Sequence, residues 1–327
     1  MCADGLLVGN NEQGFLEADV RALCDVARST KLDTAGVSKA PRIGCKGIGF
    51  KSVFALSDTP HIVSSSFHIY FDAQHPSGLG LLVPLWMDAQ RRSAMPECAL
   101  PAAPAGALEP SDAWGTRLWL PLRDEHKAEW ERMVGRLVAT VRPHLLLFLN
   151  QLTTVSIRNT LTGLDAQLHR RQLPNHVVEV LISREPQPVD TASSAALDTM
   201  PTQGSYRWLL HAHAVDTHGI SKHAAASGAP GAASHSTLKL AMPITWPGKR
   251  ADGTADTQAP QQFVYAFLPL CSYGLRFALH ADWVIPSARE AISTGSPWNE
   301  LLRDAVPDAF TQLVLSTRAS PELRSLW

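Results

Sequence analysis

Three closely spaced glycines constrain the fold of this chain more than any other feature. They lie within Arg42 to Phe54, where Gly44, Gly47 and Gly49 follow the pattern G-x-x-G-x-G. Glycine adopts positive φ angles and lets a backbone approach a ligand closely. The residues Ile48 to Leu56 are apolar at helical spacing, so the loop is predicted to open a helix. The N-terminal N–H groups and partial positive charge of such a helix suit a polyphosphate.

On spacing alone this loop has several interpretations. A dinucleotide-binding turn has the order G-x-G-x-x-G after a strand, with an acidic residue about 20 positions on, whereas the order here is reversed and polar residues precede it. A Walker loop requires G-x-x-x-x-G-K-[ST], which does not occur. Two interpretations remain: a phosphate-binding loop, to which Lys46 and Lys51 add cations, and a turn that only tightens the start of a helix.

The context of the loop favours a binding site. Leu6 to Val8 is predicted as a short buried strand, followed by a polar Gly-containing turn, Asn10 to Phe15, and by an amphipathic helix, Leu16 to Arg28. The polar segment Ser29 to Pro41 suits a mobile lid. Downstream of the loop, a Gly-Thr pair leads into the strand Thr116 to Leu122.

The rest of the chain interleaves strands and helices. A hairpin is predicted over His61 to Asp72 with its turn at Ser64 to Ser66, and a long helical stretch, Glu125 to Leu149, is expected to break at Pro143. Further strands are predicted over Thr153–Arg158, Val177–Ser183, Tyr206–Ala214, Thr237–Met242, Phe263–Leu268 and Leu275–Ile285, and a last helix over Trp298–Leu315. The sequence therefore predicts two α/β blocks, joined near Asn159 to Leu173.

Length and composition agree with two soluble domains. The chain has 327 residues, 45% of them apolar, and its 29 basic and 30 acidic residues give a net charge of −1. Such a balance gives no bulk attraction to nucleic acid or to an anionic membrane.

The chain also lacks the sequence signals of a membrane or secreted protein. No apolar run approaches the ~20 residues of a membrane span, and the first residues do not resemble a secretory signal. The five cysteines are scattered without a C-x-x-C pair, which argues against a disulfide framework or a zinc module. We expect a soluble, intracellular protein with neither nucleic acid nor membrane as a direct partner.

The order of strand, polar Gly turn, helix, lid, glycine loop and Gly-Thr strand resembles the Bergerat ATP-binding fold. This fold defines the GHKL superfamily of heat-shock chaperone, gyrase B, MutL and histidine-kinase ATPase domains. More narrowly, the chain resembles the sacsin-like group that includes the plant protein NO VEIN. The segments that carry this narrower resemblance are Ala22–Val26, Arg28–Lys31, Lys46–Phe54, Phe263–Leu270, Tyr273–Leu275, Pro286–Glu290 and Ser296–Asn299.

The resemblance implies a fold and a ligand. It implies a Bergerat-type two-layer α/β sandwich over residues 1–160, followed over 174–327 by a second α/β domain that resembles a chaperone middle segment and carries Ala/Pro/Gly-rich insertions. The implied ligand is ATP with Mg²⁺. The implied function is an ATP-binding, chaperone-like conformational switch, whose partners are the nucleotide and either protein clients or the rest of a larger chain.

The resemblance also assigns residues to the nucleotide. Asn10, with Asn11 beside it, takes the place of the carboxylate that accepts the adenine amino proton. Gly14 lets the backbone pass close to the base, and Thr116 matches a threonine in the water network around adenine. The phosphates are assigned to the glycine loop and its neighbours, namely Gly44, Lys46, Gly47, Gly49, Phe50 and Lys51. Arg289 matches an arginine that reaches the γ-phosphate and is the one catalytic candidate; a local salt bridge to Glu290 or Asp282 is the alternative.

One departure from the superfamily concerns hydrolysis. In GHKL ATPases a helix before the first Gly turn carries a glutamate general base and the asparagine that binds magnesium. Only nine residues precede Asn10, so we expect that helix and the magnesium ligand to be missing, hydrolysis to be impaired and the chain to be an N-terminally truncated piece of a longer protein. The rival hypothesis is a scaffold or interaction module (a pseudo-ATPase) that has lost its nucleotide.

A loose cluster of histidines in the second half of the chain is a candidate metal site. His211 and His213 stand two apart on a predicted strand, which places both rings on one face, and His218, His223 and His235 follow. No cysteine or carboxylate joins them at a recognisable spacing. We therefore expect solvent-exposed histidines and no metal site.

Overall fold

The computed structural model describes residues 1–24, 49–96, 115–185, 203–218, 220, 222, 235–245, 261–286 and 288–319. It shows a mixed α/β chain with two β-sheets, as the sequence predicted. The described residues divide into two compact units. The first holds those within Met1–Thr140, Ser156–Ala166 and Arg184–Met200, and the second those within Val141–Val155, Gln167–Ser183 and Pro201–Trp327. The domain limits at residues 160 and 174 stay predictions.

The first unit is built on a five-stranded antiparallel sheet. Its strands are β1 (Gly5–Asn10), β2 (His61–Ser64), β3 (Phe67–Tyr70), β4 (Leu85–Trp86) and β5 (Thr116–Pro121), in the spatial order β1-β5-β2-β3-β4. The helices are α1 (Glu17–Cys24), a 3₁₀ helix Phe50–Ala55, α2 (Ala89–Ser93), a 3₁₀ helix Asp124–Glu129 and α3 (Trp130–Thr140).

This sheet buries apolar side chains on both faces. Because successive residues of a strand point to opposite faces, Leu118 and Ile62 lie on one side and Trp119 and Val63 on the other. The first side carries the helix-side cluster, which comprises Phe15, Val20, Leu23, Phe50, Phe54, Ile62, Ile69, Phe71 and Leu118. The second side carries the opposite-side cluster, which comprises Cys2, Leu7, Val63, Tyr70, Met87, Met95 and Trp119. The sheet is therefore a partition between two separate cores.

An eight-stranded sheet dominates the second half of the chain. Its strands are β6 (Thr154–Asn159), β7 (Leu164–Gln172), β8 (Val177–Glu185), β9 (Gly204–Asp216), β10 (His235–Thr245), β11 (Val264–Ala266), β12 (Leu268–Pro269) and β13 (Ala278–His280), in the order β12-β11-β13-β10-β9-β8-β7-β6. The helical segments are a 3₁₀ helix Pro143–Leu146, α4 (Pro297–Asp304) and α5 (Val306–Ala319). Leu302 and Leu313 of these last two helices share one buried cluster with Leu238 and Leu240 of β10.

The start of α4 explains a motif that the sequence analysis could only match to relatives. The Ser296 hydroxyl accepts a hydrogen bond from the Asn299 N–H at 3.4 Å, and Pro297 occupies the first turn of the helix, where a missing N–H costs nothing. The buried Asn299 amide accepts from the Val284 N–H at 2.8 Å and donates to the carbonyls of Val284 and Ser293. These residues have a structural role, because they fasten the preceding loop to α4.

Most predicted elements are present, and several differ. The strand predicted over Phe263–Leu268 is β11, followed by the separate short strand β12. Residues 159–173 were predicted to join the two blocks, but they contain strand β7. The single helix predicted over Trp298–Leu315 is two helices, because Pro307 lacks the N–H that a continuous helix would bond to the carbonyl of Arg303. The strand predicted over Leu275–Ile285 shortens to β13. Within the described ranges, no helix is long and apolar enough to cross a membrane.

Candidate functional site

Three polar residues share one rung at the end of the five-stranded sheet. Asn10, the last residue of β1, is paired in register with Thr116 of β5, and Thr116 is paired with Ser64 of β2. Two of the residues that the resemblance assigns to adenine, Asn10 and Thr116, are therefore brought together. Asn10 is exposed, whereas Thr116 and Ser64 are buried.

The hydroxyl of Ser64 organises this end of the sheet. It accepts the backbone N–H of Phe15 at 2.7 Å, lies 2.5 Å from the Thr116 hydroxyl and 3.3 Å from the Gly115 carbonyl oxygen. A serine hydroxyl has one proton and two acceptor lone pairs. If its proton goes to Gly115, the Thr116 hydroxyl donates to Ser64. Thr116 then offers only acceptor lone pairs to a ligand or water.

Two glycines let the first turn approach the strand end. Gly14 has φ +83°, a conformation that side chains disfavour. A Cβ built on Gly115 would lie 1.7 Å from the carbonyl oxygen of Glu12 and 3.3 Å from the backbone N of Gly14. The Asn10 Oδ1 atom accepts the Glu12 N–H at 3.3 Å, which curls the chain back after β1. The turn is therefore packed directly on the backbone of β5.

This packing gives a stability prediction for Gly115. Gly115→Ala is expected to lower the free energy of unfolding by about 3 kcal/mol, because its Cβ overlaps backbone atoms that cannot rotate away. Urea unfolding of the full chain, followed by tryptophan fluorescence, measures the change.

Gly135 in α3 provides the matched control. Nothing lies within 4 Å of a Cβ built there, so Gly135→Ala is expected to raise the stability by about 1 kcal/mol through helix propensity alone. Equal effects of the two substitutions would contradict the packing of the first turn on Gly115.

The glycine loop is described only from Gly49 onward. Gly49 precedes the 3₁₀ helix Phe50–Ala55 with φ −61°, and a Cβ there would meet nothing within 4 Å. Phe50 lies in the helix-side cluster, in edge or tilted contact with Phe54 and Phe71. The loop thus leads into a 3₁₀ helix that is anchored by aromatic packing, where a helix was predicted.

Lys51 already has partners within the protein. Its Nζ donates to the Leu81 carbonyl oxygen at 2.6 Å and lies 5.2 Å from the centre of the Phe71 ring. Burial lowers the pKa of the Lys51 ammonium, and the nearby Cys24 thiol opposes this shift. Contact with a phosphate would require Lys51 to leave the Leu81 carbonyl.

The other assigned residues are partly outside the described ranges. Gly44, Lys46 and Gly47 lie outside them, as does the segment Ser29 to Pro41 that was predicted to be a lid. Asn11 is described, and its side chain is exposed. The assignments of these residues to the nucleotide stay predictions.

Arg289 lies in the second unit, where its backbone is in the left-handed region and its side chain is bound to a backbone carbonyl. Its φ is +57°, and its Nη2 donates to the Ala266 carbonyl oxygen at 3.1 Å. Asp282, one of the two acids considered as its partner, instead forms an ion pair with Lys222. The role of Arg289 toward a γ-phosphate stays a prediction.

The histidine pair of β9 faces α5. The His213 Nδ1 atom lies 3.0 Å from the side-chain oxygen of Gln312, and burial lowers the pKa of His211, with the neighbouring His213 adding to the effect. Among the described residues, no group of three or more His, Cys, Asp or Glu side chains is placed to hold a metal ion.

Sequence reasoning missed Ser64 and Gly115 as members of the site. Ser64 was assigned to the hairpin turn, whereas the structure places it in β2 and gives the turn to Ser65, with φ +51°. The alternation of inward and outward residues in β2 could have indicated Ser64. Ile62 and Ser64 share the inward face, and a serine buried there needs a polar partner.

The chain matches a family profile and a known plant protein. The family profile described as "Sacsin domain" matches residues 1–170, which include the whole five-stranded sheet. Protein NO VEIN of Arabidopsis thaliana is 29% identical over 322 residues, which cover 97% of this chain and 10% of that protein. The chain thus spans about a tenth of the length of this relative. Because this family profile matches more than half of its length, the chain belongs to the sacsin domain family.

Proposed function

We propose that the first unit is a Bergerat-type module that binds ATP and serves as a chaperone-like conformational switch within a longer protein. The observation that carries this proposal is the rung of Asn10 and Thr116, with Gly14 packed beside it. Residues assigned to one ligand by resemblance alone converge at one end of one sheet. Asn10 and Thr116 are about a hundred positions apart along the chain, so their sequence positions alone would not bring them together.

The polar atoms of this rung fit an adenine ring. The exposed Asn10 amide oxygen accepts one backbone N–H and keeps a second lone pair for the adenine amino group. Thr116, once it donates to Ser64, is likewise an acceptor. Because Gly14 and Gly115 carry no side chains, the first turn packs on the end of β5, where Asn10 and Thr116 are paired.

The phosphates are assigned to the segment that ends at Gly49. The open space around its missing Cβ allows close approach of a ligand. Among the described residues, no group of three or more His, Cys, Asp or Glu side chains is placed to hold Mg²⁺. In the proposed switch Arg289 senses the γ-phosphate, which requires it to release the Ala266 carbonyl.

Calorimetric titration of the full chain with Mg²⁺-ATP tests nucleotide binding. We expect a saturable heat that Asn10→Leu weakens about tenfold, because one hydrogen bond to the adenine amino group is lost. Asn10→Asp is expected to tighten binding, since a carboxylate accepts the amino proton more strongly than an amide oxygen does. Gly49→Ala is expected to weaken binding without loss of stability.

Gln13→Leu is the matched control. Gln13 is an exposed residue of the same turn, and its replacement is expected to leave the affinity within about twofold. A Kd of about 1 mM corresponds to a binding free energy of about −4 kcal/mol. If no saturable heat is seen up to that ATP concentration, the proposal is overturned.

A scaffold without nucleotide is the second candidate function, and Lys51 favours it. This lysine is already bound to the Leu81 carbonyl. A silent titration in which all variants keep the stability of the wild type would support the scaffold.

A further inference from the structure

A cleft of about 490 Å³ opens on the other face of the five-stranded sheet. Its lining includes His61 of β2 and Trp119 of β5, which are paired in register. Trp119 belongs to the opposite-side cluster, whereas Thr116 and Ser64 share the face of Leu118 and Ile62. The cleft is therefore separated from the candidate nucleotide site by the sheet itself.

One wall of the cleft is apolar and the other carries a cation. Met95 and Trp119 are each more than nine-tenths buried and form the apolar wall. The guanidinium of Arg91 lies over the Tyr70 ring, 3.9 Å from its centre. Stacking occupies the faces of a guanidinium and leaves its N–H edges for a second acceptor, and these edges match a carboxylate, sulfonate or phosphate.

The charge of Arg91 is not neutralised by any acid among the described residues. Asp88 is the one acidic residue lining the cleft, and its Oδ1 accepts the backbone N–H of Arg91 at 2.7 Å as the cap of α2. Arg92, the next residue of α2, contacts His68 at 3.1 Å. Arg91 and Arg92 against Asp88 leave an excess of one positive charge on α2 beside the cleft, which favours an anionic ligand over a cationic one.

His61 supplies a second polar group with unused capacity. It is 7% exposed, its ring stacks on Tyr70 at 5.7 Å, and its Nδ1 atom has no hydrogen-bond partner among the described residues. Burial lowers its pKa, a hydrogen bond to the Thr59 backbone opposes this shift, and the charge of Arg91 adds to it, so the neutral form of the ring is favoured at pH 7. A buried polar atom without a partner is uncommon in folded proteins.

We propose that this cleft binds a small organic anion with an apolar, aromatic body. The anionic group contacts the Arg91 guanidinium, and the body packs against Trp119 and Met95. The volume lies within the range of about 300–1,000 Å³ that is usual for small-ligand sites. Half of the lining residues are apolar and half are polar or charged, and placed polar groups of this kind fix the orientation of a ligand.

A pair of fluorescent probes that differ by one charge tests this inference on the full chain. 8-Anilinonaphthalene-1-sulfonate carries a sulfonate on an aromatic body, and N-phenyl-1-naphthylamine is its uncharged analogue. We expect saturable binding of the sulfonate, which Arg91→Gln weakens about tenfold through loss of a charge-assisted contact. Binding of the uncharged analogue is expected to change less than about twofold.

Arg92→Gln is the matched control, because it removes the same charge from the adjacent position of α2. It is expected to change the affinity of the sulfonate by less than about twofold. Far-UV circular dichroism and the urea midpoint show whether each variant is folded. No saturable binding, equal losses for the two probes, or equal losses in Arg91→Gln and Arg92→Gln would each overturn the proposal.

Discussion

Acidification from pH 6.5 to pH 4 is expected to lower the stability of the second unit by several kcal/mol. Two histidines, His144 and His280, have pKa values of about 4 in the folded protein, against 6.5 for an ordinary histidine. Burial is the main cause for both. Arg142 lowers the pKa of His144 further, and for His280 the backbone of Tyr265 and the charge of Asp282 oppose the effect of burial, while Lys239 adds to it.

Aromatic packing explains why these rings are held away from water. The His144 ring stacks on Phe263 at 5.2 Å, and the His280 ring stacks on Phe148 at 4.9 Å. Tyr265 contacts both His144 and Phe148 edge-on. A charged imidazolium in this cluster would lose its hydration. The Tyr265 carbonyl oxygen, 3.1 Å from His280 Nδ1, offsets only part of that loss, so the neutral form is favoured.

The direction of the pH effect follows from proton uptake. Below pH 6.5 the histidines become protonated in the unfolded chain but not in the folded protein. Because the unfolded state then binds more protons, the stability decreases as the pH is lowered. The contribution is complete above pH 6.5 and is lost as the pH falls through about 4. A shift of this size corresponds to about 3 kcal/mol for each histidine.

Urea unfolding between pH 7.5 and pH 4 measures this dependence. His144→Phe keeps an aromatic ring against Phe263 and is expected to remove about half of the slope. His218 is exposed, and His218→Gln is expected to leave the slope unchanged. A wild-type stability that stays constant over this pH range would contradict the burial of neutral histidines.

Local patterns predicted the elements whose signals are contained in a short segment. The β2–β3 hairpin, strand β5 and the break at Pro143 follow from alternation, a Gly-Thr entry and the missing N–H of proline. Strand β7 was missed although Leu164, Ala166 and Leu168 alternate inward, because its charged outer residues resembled a junction. The sequence pattern was sufficient there, and its interpretation was wrong.

The candidate site was predictable in part, for a different reason. Resemblance named Asn10, Gly14 and Thr116. It did not name Ser64, whose hydroxyl joins Thr116 to the Phe15 N–H of the first turn and whose role depends on pairing between strands that are far apart in sequence. Lys51 illustrates the converse, since its position beside a glycine loop suggested a phosphate ligand, whereas its partner is a carbonyl thirty residues away. Partners in tertiary structure decide what a polar side chain can still bind.

A buried carboxylate in the second unit gives the other large expected effect. Glu179 of β8 is fully buried, and its oxygens accept hydrogen bonds from Ser205 at 2.5 Å, from Arg207 at 2.7 Å and from Arg171. Burial by itself would raise the pKa of Glu179, but these three donors outweigh it and hold the pKa at about 2. The carboxylate thereby joins the adjacent strands β7, β8 and β9.

Glu179→Gln is expected to lower the free energy of unfolding by about 3 kcal/mol. The amide cannot accept at both positions, so one donor group loses its partner, and breaking a buried pair costs about 3–5 kcal/mol. The lower end applies because Arg171 and Arg207 are half exposed and regain water. Ser205→Ala, which removes a single hydrogen bond to the carboxylate, is expected to cost about 1.5–3 kcal/mol.

Acid titration separates this cluster from the buried histidines. The stability that Glu179 provides is complete above the ordinary glutamate pKa of 4.5 and is lost as the pH falls through about 2, below the range in which His144 and His280 act. Glu179→Gln should therefore reduce the pH dependence below 4 and leave the part above 4.5 intact. Glu300 on α4 is exposed, and Glu300→Gln should change stability by less than about 0.5 kcal/mol. Equal effects of the two glutamate substitutions would show that the carboxylate of Glu179 does not hold the three strands together.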